Sequence, residues 1–372
     1  MFTGTMIKGV DRTLLIIIAL LVFIGFFIFS SASLGLLARE GARFSSVAFN
    51  QIFFGIIGGS IGMLVLSQIY YRNWRQYAFY IFLGTLLLTL LVFIPGVGFS
   101  HGGAKRWILL GGFSFQPAEL LKIGFIIYMA TWLSGTYKQL SSTLHGTVPF
   151  FSMVAGVGLI LLLQPDTDTF LIMAVAATAM FIVAGGRWRD VLILFVIAVL
   201  LMALLVMTRP YIKERIMTFA DPTRDPLGAG YQINQSLIAV GSGGFTGRGF
   251  GQSIQKFEYL PEPIGDSIFA VYAEEFGFLG SVTLISLLSI FTFRGYRIAS
   301  HATDLFGMLV VVGFMTLIVT QAFLNIGAMV GLAPLSGLPL PFISHGGTSL
   351  LATLLMVGIV LNVSKYQKKR AS

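Results

Sequence analysis

Four acidic residues, Glu262, Asp266, Glu274 and Glu275, occupy the stretch YLPEPIGDSIFAVYAEEFG, which runs from Tyr259 to Gly277. The stretch begins polar and turn-rich and continues as a long apolar run. Ionisable groups in apolar runs are expensive, so they need partners or water. Asp266 stands at the junction, and its residue type admits two roles there. It can cap a helix that begins at Ser267 by accepting from free N–H groups. Or it can act as a general base, its basicity raised by partial loss of water. Glu274 lies eight residues on, about 12 Å deeper along a helix and about 80° round, so it can line the same groove. Glu275 points away and suits a partner on another helix.

A second constellation is HGGAKRWILLGGFSFQPAELLK, residues 101–122. Lys105 and Arg106 are adjacent cations beside Trp107. Such a trio can be a plain interface anchor or can hold a phosphate-bearing lipid headgroup. Glu119 and Lys122 are three apart, on one helix face inside an apolar segment. They can form a structural ion pair or line a polar cavity, and the spacing fits both. In QPDTDT, residues 164–169, Asp166 and Asp168 can be solvated turn formers or ligands for Mg²⁺ or Ca²⁺ with a phosphate. Ser344 and His345, in PLPFISHGGTS, precede the last apolar run and can face the same cavity. The glycine-rich GSGGFTGRGFG has G-x-G spacings, but no strand–helix context for a nucleotide site.

These residues need a frame, and composition says which. Hydrophobic residues make up 56% of the 372 and charged residues only 10%, too few to coat soluble domains. The chain reads as an all-α, polytopic membrane protein. The absence of cysteine excludes disulfides and thiolate chemistry. The net charge of +9 is best read as basic flanks of membrane helices, not as a nucleic-acid surface. A spanning helix needs about 20 apolar residues. Ten runs qualify: 13–34, 47–69, 77–95, 116–134, 148–164, 168–185, 190–208, 267–293, 304–331 and 345–364. The first run, from Leu14 to Ser33, is too long for a signal-peptide core.

Ten spans put both termini on one side. With the N-terminus inside, cytoplasmic segments hold Lys8, Arg12, Arg72, Arg75, Lys138, Arg187, Arg189, Arg294, Arg297, Lys365, Lys368, Lys369 and Arg370. The short outer loops then hold only Arg39, Arg43, Lys105 and Arg106. That asymmetry fits both termini in the cytoplasm. One outer segment, 209–265, is long and varied in sequence. Its piece YIKERIMTF reads as a short amphipathic helix, YQINQSLIAV as another, and DPTRDPLGAG as turns between them. Residues 1–372 then form a single membrane domain with one elaborated outer loop.

Three stretches together resemble the SEDS family of bacterial membrane proteins, named for shape, elongation, division and sporulation. They are GGAKRWILLGGFSFQPAELLK, the run from DPLGAGYQINQ through GQSIQKFEYLPEPIGD to EEFGFLG, and GLPLPFISHGGTSLL, in that order along nearly the whole chain. LPFIS and GGFSFQPAE look more like the division branch than the elongation branch. The resemblance implies a peptidoglycan glycosyltransferase of the bacterial cytoplasmic membrane that polymerises lipid II on its outer face. A lipid II flippase is the alternative from another class. By resemblance, Asp266 is the base. Lys105 and Arg106 face the diphosphate, Glu119 and Lys122 are a buried pair, and Gln255, Lys256 and Glu262 belong to the loop motif. Implied ligands are lipid II and an undecaprenyl-diphosphate-linked glycan. Implied partners are a class B penicillin-binding protein and other divisome proteins. A divalent cation, magnesium or manganese, is the one cofactor left open. The chain departs from the family pattern at Ile264 and Gly265, where His-Thr is usual, at Ser267, where an aromatic is usual, at His345, where tyrosine is usual, and in QPDTDT, where Pro-Asp-Leu-Gly is commoner.

Overall fold

The structure, a computed structural model, describes residues 6–7, 9–39, 41–101, 104–110, 113–222, 225–228 and 230–367. Lys8, Lys368, Lys369 and Arg370 of the basic flanks, Thr223, Arg224 and Ala229 of the piece read as turns, and Gly102, Gly103, Gly111 and Gly112 of the second motif lie outside them. Each of the ten apolar runs is helical. In chain order they are α1 (Arg12–Arg39), a composite second span, α4 (Asn73–Leu90), α5 (Pro117–Thr136), α6 (Val148–Leu163), α7 (Thr167–Val183), α8 (Trp188–Thr208), α12 (Ile268–Ser300), α13 (Leu305–Met329) and α14 (Gly347–Lys365). The second span joins α2 (Gly41–Phe49) to α3 (Gly59–Gln68) through nine residues of wider π-helix, Asn50–Gly58. Among the described residues, eight helices are long and apolar enough to cross a membrane by length and composition. The two remaining expected spans are α7, with 17 residues, and α5, which carries Glu119 and Lys122. A bilayer leaves no water for backbone groups, so apolar runs of this length must be helical.

The helices are not equally buried. The apolar windows of α13 and α14 are 78% and 83% enclosed by protein, whereas that of α8 is not enclosed at all. So α13 and α14 form the centre and α8 stands at the rim. Around the centre, α14 packs on α3, α12 and α7 pack on α13, and α5 packs on α4 and α13. At one end, β1 (Met6–Ile7) pairs antiparallel with β5 (Tyr366–Gln367). That pairing puts both chain ends on one side, as an even number of crossings requires.

The polar connections cluster at the other end. The 209–265 loop carries α9 (Pro210–Ala220), α10 (Tyr231–Ser242) and the short α11 (Gln255–Glu258). The first two fall on the segments read as helical. Three strands that the sequence did not signal form an antiparallel sheet: β2 (Gly98–His101), β3 (Ala104–Leu110) and β4 (Phe113–Phe115). Nor was α12 expected to be interrupted. Gly277 has φ 66°, a left-handed conformation that glycine adopts without cost. Backbone N–H groups of Arg248 and Gly249 bond to the carbonyls of Glu274 and Glu275, 3.0 and 2.9 Å away, beside that break. The glycine-rich segment is therefore packed against a helix interruption.

Candidate active site

Asp266 does not cap α12. The helix begins at Ile268, and its cap position is Ser267, with no side-chain cap bond. The chain turns tightly just before the helix, with the N–H groups of Gly265 and Ser267 bonding to the Glu262 carbonyl. The Asp266 side chain takes no part in capping the helix. Among the described residues, its carboxylate makes no hydrogen bond and no ion pair. Its main chain, in contrast, is firmly held. Asn325 Nδ2 donates to the Asp266 carbonyl and to that of Leu338, both at 2.8 Å. Ser344 Oγ donates to the Gly265 carbonyl at 2.8 Å and accepts from the Leu340 N–H at 2.7 Å. The His345 N–H reaches the Ile264 carbonyl at 2.7 Å, and its ring stacks on Phe29. Ser344 and His345 thus brace the turn from behind.

Three charged side chains meet in front of the turn. Asp168, in the first turn of α7, accepts from Arg215 Nη1 of α9 at 2.9 Å and from the Gly337 N–H at 3.0 Å. The place where a Cβ of Gly337 would stand is 3.8 Å from Oδ2 of Asp168, 3.8 Å from Oδ2 of Asp266 and 3.9 Å from Arg215 Nη2. Asp266 is half-buried there. Burial, joined by the Glu262 and Asp168 charges and opposed by Arg215 and Arg106, pushes its pKa up to about 7. A carboxylate poised near neutrality suits general-base work. Arg215 was not singled out from the sequence. Only its place on an amphipathic helix in the elaborated loop pointed to it.

The second constellation divides. On β3, consecutive side chains point to opposite faces. Lys105 is exposed, while Arg106 turns inward, 3.5 Å from Asp166 and donating to the carbonyls of Gln164 and Pro165. The two cations therefore do not act as an adjacent pair, a correction to their sequence reading. Trp107 pairs with Phe99 across the sheet and is half-buried. Asp166 is buried, and burial raises its pKa against the pull of Arg106. Gln116 Nε2 also approaches it, at 3.4 Å. Asp166 is met by Arg106 and Asp168 by Arg215. Among the described residues, no three His, Asp or Glu side chains are gathered where a metal ion could sit.

Glu119 and Lys122 form a buried ion pair at 2.7 Å. Lys122 Nζ continues to Gln321 Oε1 at 3.1 Å, and Gln321 Nε2 donates to the Pro339 carbonyl at 2.8 Å. Of the two sequence readings, the geometry matches the structural pair, and it ties α5 through α13 to the 332–346 segment. Glu274 departs from its expected place in a groove below Asp266. It is fully buried, accepting from Ser253 Oγ at 2.5 Å and from the N–H groups of Ile254 and Gln255 at 3.1 and 3.3 Å. Lys256 is equally enclosed, 2.7 Å from Glu275 and 2.8 Å from Ser31 Oγ of α1. Glu275 does pair across helices, as expected. Gln255 sits at the start of α11 among these groups, with its Oε1 buried. Gln255, Lys256 and Glu274 thus hold the loop to the bundle, while exposed Glu262 stays beside Asp266.

A multi-pass helical membrane protein with a charged, half-open site at one end of its bundle is the class these features define. The family profile described as cell cycle protein, covering FtsW, RodA and SpoVE, matches residues 11–369. The chain belongs to this family. It is 41% identical over 358 residues to stage V sporulation protein E of Bacillus subtilis (strain 168), covering 96% of this chain and 98% of that one. It is 43% identical over 310 residues to the probable peptidoglycan glycosyltransferase FtsW of Geobacter metallireducens, covering 83% of each. Among solved structures, it resembles a chain reported under "Structural coordination of polymerization and crosslinking by a peptidoglycan synthase complex", with TM-score 0.77, 30% identity and coverage of 95% and 97%. It also resembles the rod shape determining protein RodA of Thermus thermophilus, with TM-score 0.69, 27% identity and coverage of 96% and 98%.

Proposed function

We propose that the chain is a peptidoglycan glycosyltransferase that polymerises lipid II into glycan strands on the outer face of the cytoplasmic membrane, during cell division. One observation carries this reading. Asp266 is a half-buried carboxylate with a pKa of about 7, set among Asp168, Arg215, Arg106 and Glu262. Relatives named as probable peptidoglycan glycosyltransferases FtsW support the activity, and the family's description as cell cycle protein fits the division role. The charge asymmetry supports both termini facing the cytoplasm, which puts Asp266 outside.

In the reaction, the 4-hydroxyl of one lipid II attacks the anomeric carbon of the growing, lipid-linked glycan. The new O–C bond forms as the bond from that carbon to the diphosphate oxygen breaks, and undecaprenyl diphosphate leaves. Asp266 takes the hydroxyl proton. Arg106, the one of the two cations that turns inward and acts on Asp266, supplies positive charge for the diphosphate. Any divalent cation would serve that leaving group. A class B penicillin-binding protein is the partner in this reading, and it activates the enzyme by biasing the 209–265 loop.

Purified protein, given lipid II, its transpeptidase partner and a divalent cation, is expected to make a glycan ladder resolved by gel electrophoresis. The partner is expected to raise the rate. Protein that moved lipid II across vesicles but made no ladder would replace this reading with transport.

A further inference from the structure

Gly337 lies at the point where Asp266, Asp168 and Arg215 converge, and neither usual demand for glycine applies to it. One such demand is a positive φ, as at Gly277, and Gly337 has no such φ. The other is crowding. A Cβ at Gly277 would stand 2.3 Å from the Gly247 nitrogen, whereas one at Gly337 would meet nothing closer than 3.8 Å. A methyl group therefore fits at position 337 in ordinary van der Waals contact. Its three nearest atoms would be the charged ends of Asp168, Asp266 and Arg215. Backbone conformation and packing leave this position open to a side chain, and the one thing a side chain would take away is the space between those three groups.

We infer that Gly337 is the floor of the acceptor subsite: its missing side chain leaves the room through which the incoming sugar hydroxyl reaches Asp266. This rests on the glycosyltransferase reading above. A hydroxyl that gives its proton to Asp266 must come within hydrogen-bond reach, about 2.6–3.2 Å. A methyl 3.8 Å from the same carboxylate oxygen stands against that approach. Asp168 frames the space from the other side. Its charge is met by Arg215 and by the N–H of Gly337 itself, so it stays fixed while Asp266 does the proton transfer. Gly337 is thus a positioning residue, acting through the space it leaves and the N–H it donates.

The test is a size series in the full chain with its partner: wild type, Gly337→Ala and Gly337→Val. Gly84→Ala is the comparator, because Gly84 lies on exposed α4 with nothing within 4 Å of its added methyl. Polymer rate against lipid II concentration is measured alongside melting temperature. A misplacement of 1 Å at a reacting centre can cost about a hundredfold, so Gly337→Ala is expected to lose about that much in kcat and Gly337→Val more. KM should move little, because the diphosphate is held elsewhere, and melting should stay at the wild-type value. Gly84→Ala should match wild type throughout. A Gly337→Ala protein that polymerises at the wild-type rate overturns the inference alone. So does a loss that tracks a fall in melting temperature and recovers on cooling. A wild type that makes no polymer overturns the glycosyltransferase reading, and this inference with it.

Discussion

Asp266→Asn removes glycan polymerisation and leaves the melting temperature unchanged. Asparagine keeps the shape of the side chain but cannot take up a proton from a sugar hydroxyl. A positioned base contributes about a hundred- to ten-thousandfold, and a loss of that size is expected. Stability should not follow, because the fold does not lean on this carboxylate. Ser267, not Asp266, holds the cap position of α12, and the contacts that fix the turn run through the main chain of residues 264–266. Near Asp168 and Glu262, loss of a negative charge relieves repulsion. Polymer rates and melting curves on the same preparations check both halves. Retained polymer within tenfold of wild type would mean that the base lies elsewhere.

Lys256→Met has the largest expected effect on stability. Lys256 is wholly buried, and its ammonium meets Glu275 at 2.7 Å and Ser31 at 2.8 Å. Removing one partner of a buried pair leaves the other charge uncompensated, at a cost of about 3–5 kcal/mol. Here the remaining group is the Glu275 carboxylate. It keeps Ser31 Oγ at 2.6 Å and the Ser253 N–H at 3.4 Å, which do not neutralise it. The double variant Lys256→Met with Glu275→Leu should regain most of the loss, because apolar replacement of both partners is often near neutral. Thermal unfolding in detergent reads both. Lys256→Met melting like wild type would show that the pair does not hold α11 to α1 and α12.

Most of the helical frame was legible because the membrane makes a narrow demand. Apolar runs of about 20 residues have one structural answer there, and the ten runs found it. Asp266 was legible for a related reason: a carboxylate at the edge of an apolar run has few inexpensive roles. Long-range pairing was not legible. The strands β2, β3 and β4 owe their form to one another, and they turn Arg106 inward while Lys105 stays out. Local spacing cannot say that Arg215 meets Asp168 forty-seven positions away, or that Glu274 closes on Ser253 rather than opening to a groove. Asn325 and Gln321 were within reach of the rule that flagged the glutamates. Both are polar side chains inside the apolar α13, and both donate to the segment that frames Asp266.

The central claim is that Asp266, with a pKa of about 7, is the base of a polymerisation reaction. The most direct measurement is the polymer rate against pH, at lipid II well below KM so that it follows kcat/KM and reports the free enzyme, for the wild-type protein with its partner. A base works only when deprotonated, so activity should be lost as pH falls through the pKa. The rate should drop about tenfold from pH 8 to pH 6, with a midpoint near 7. A rate that stays level down to pH 5 and turns only near the ordinary aspartate value, about 3.9, would contradict it.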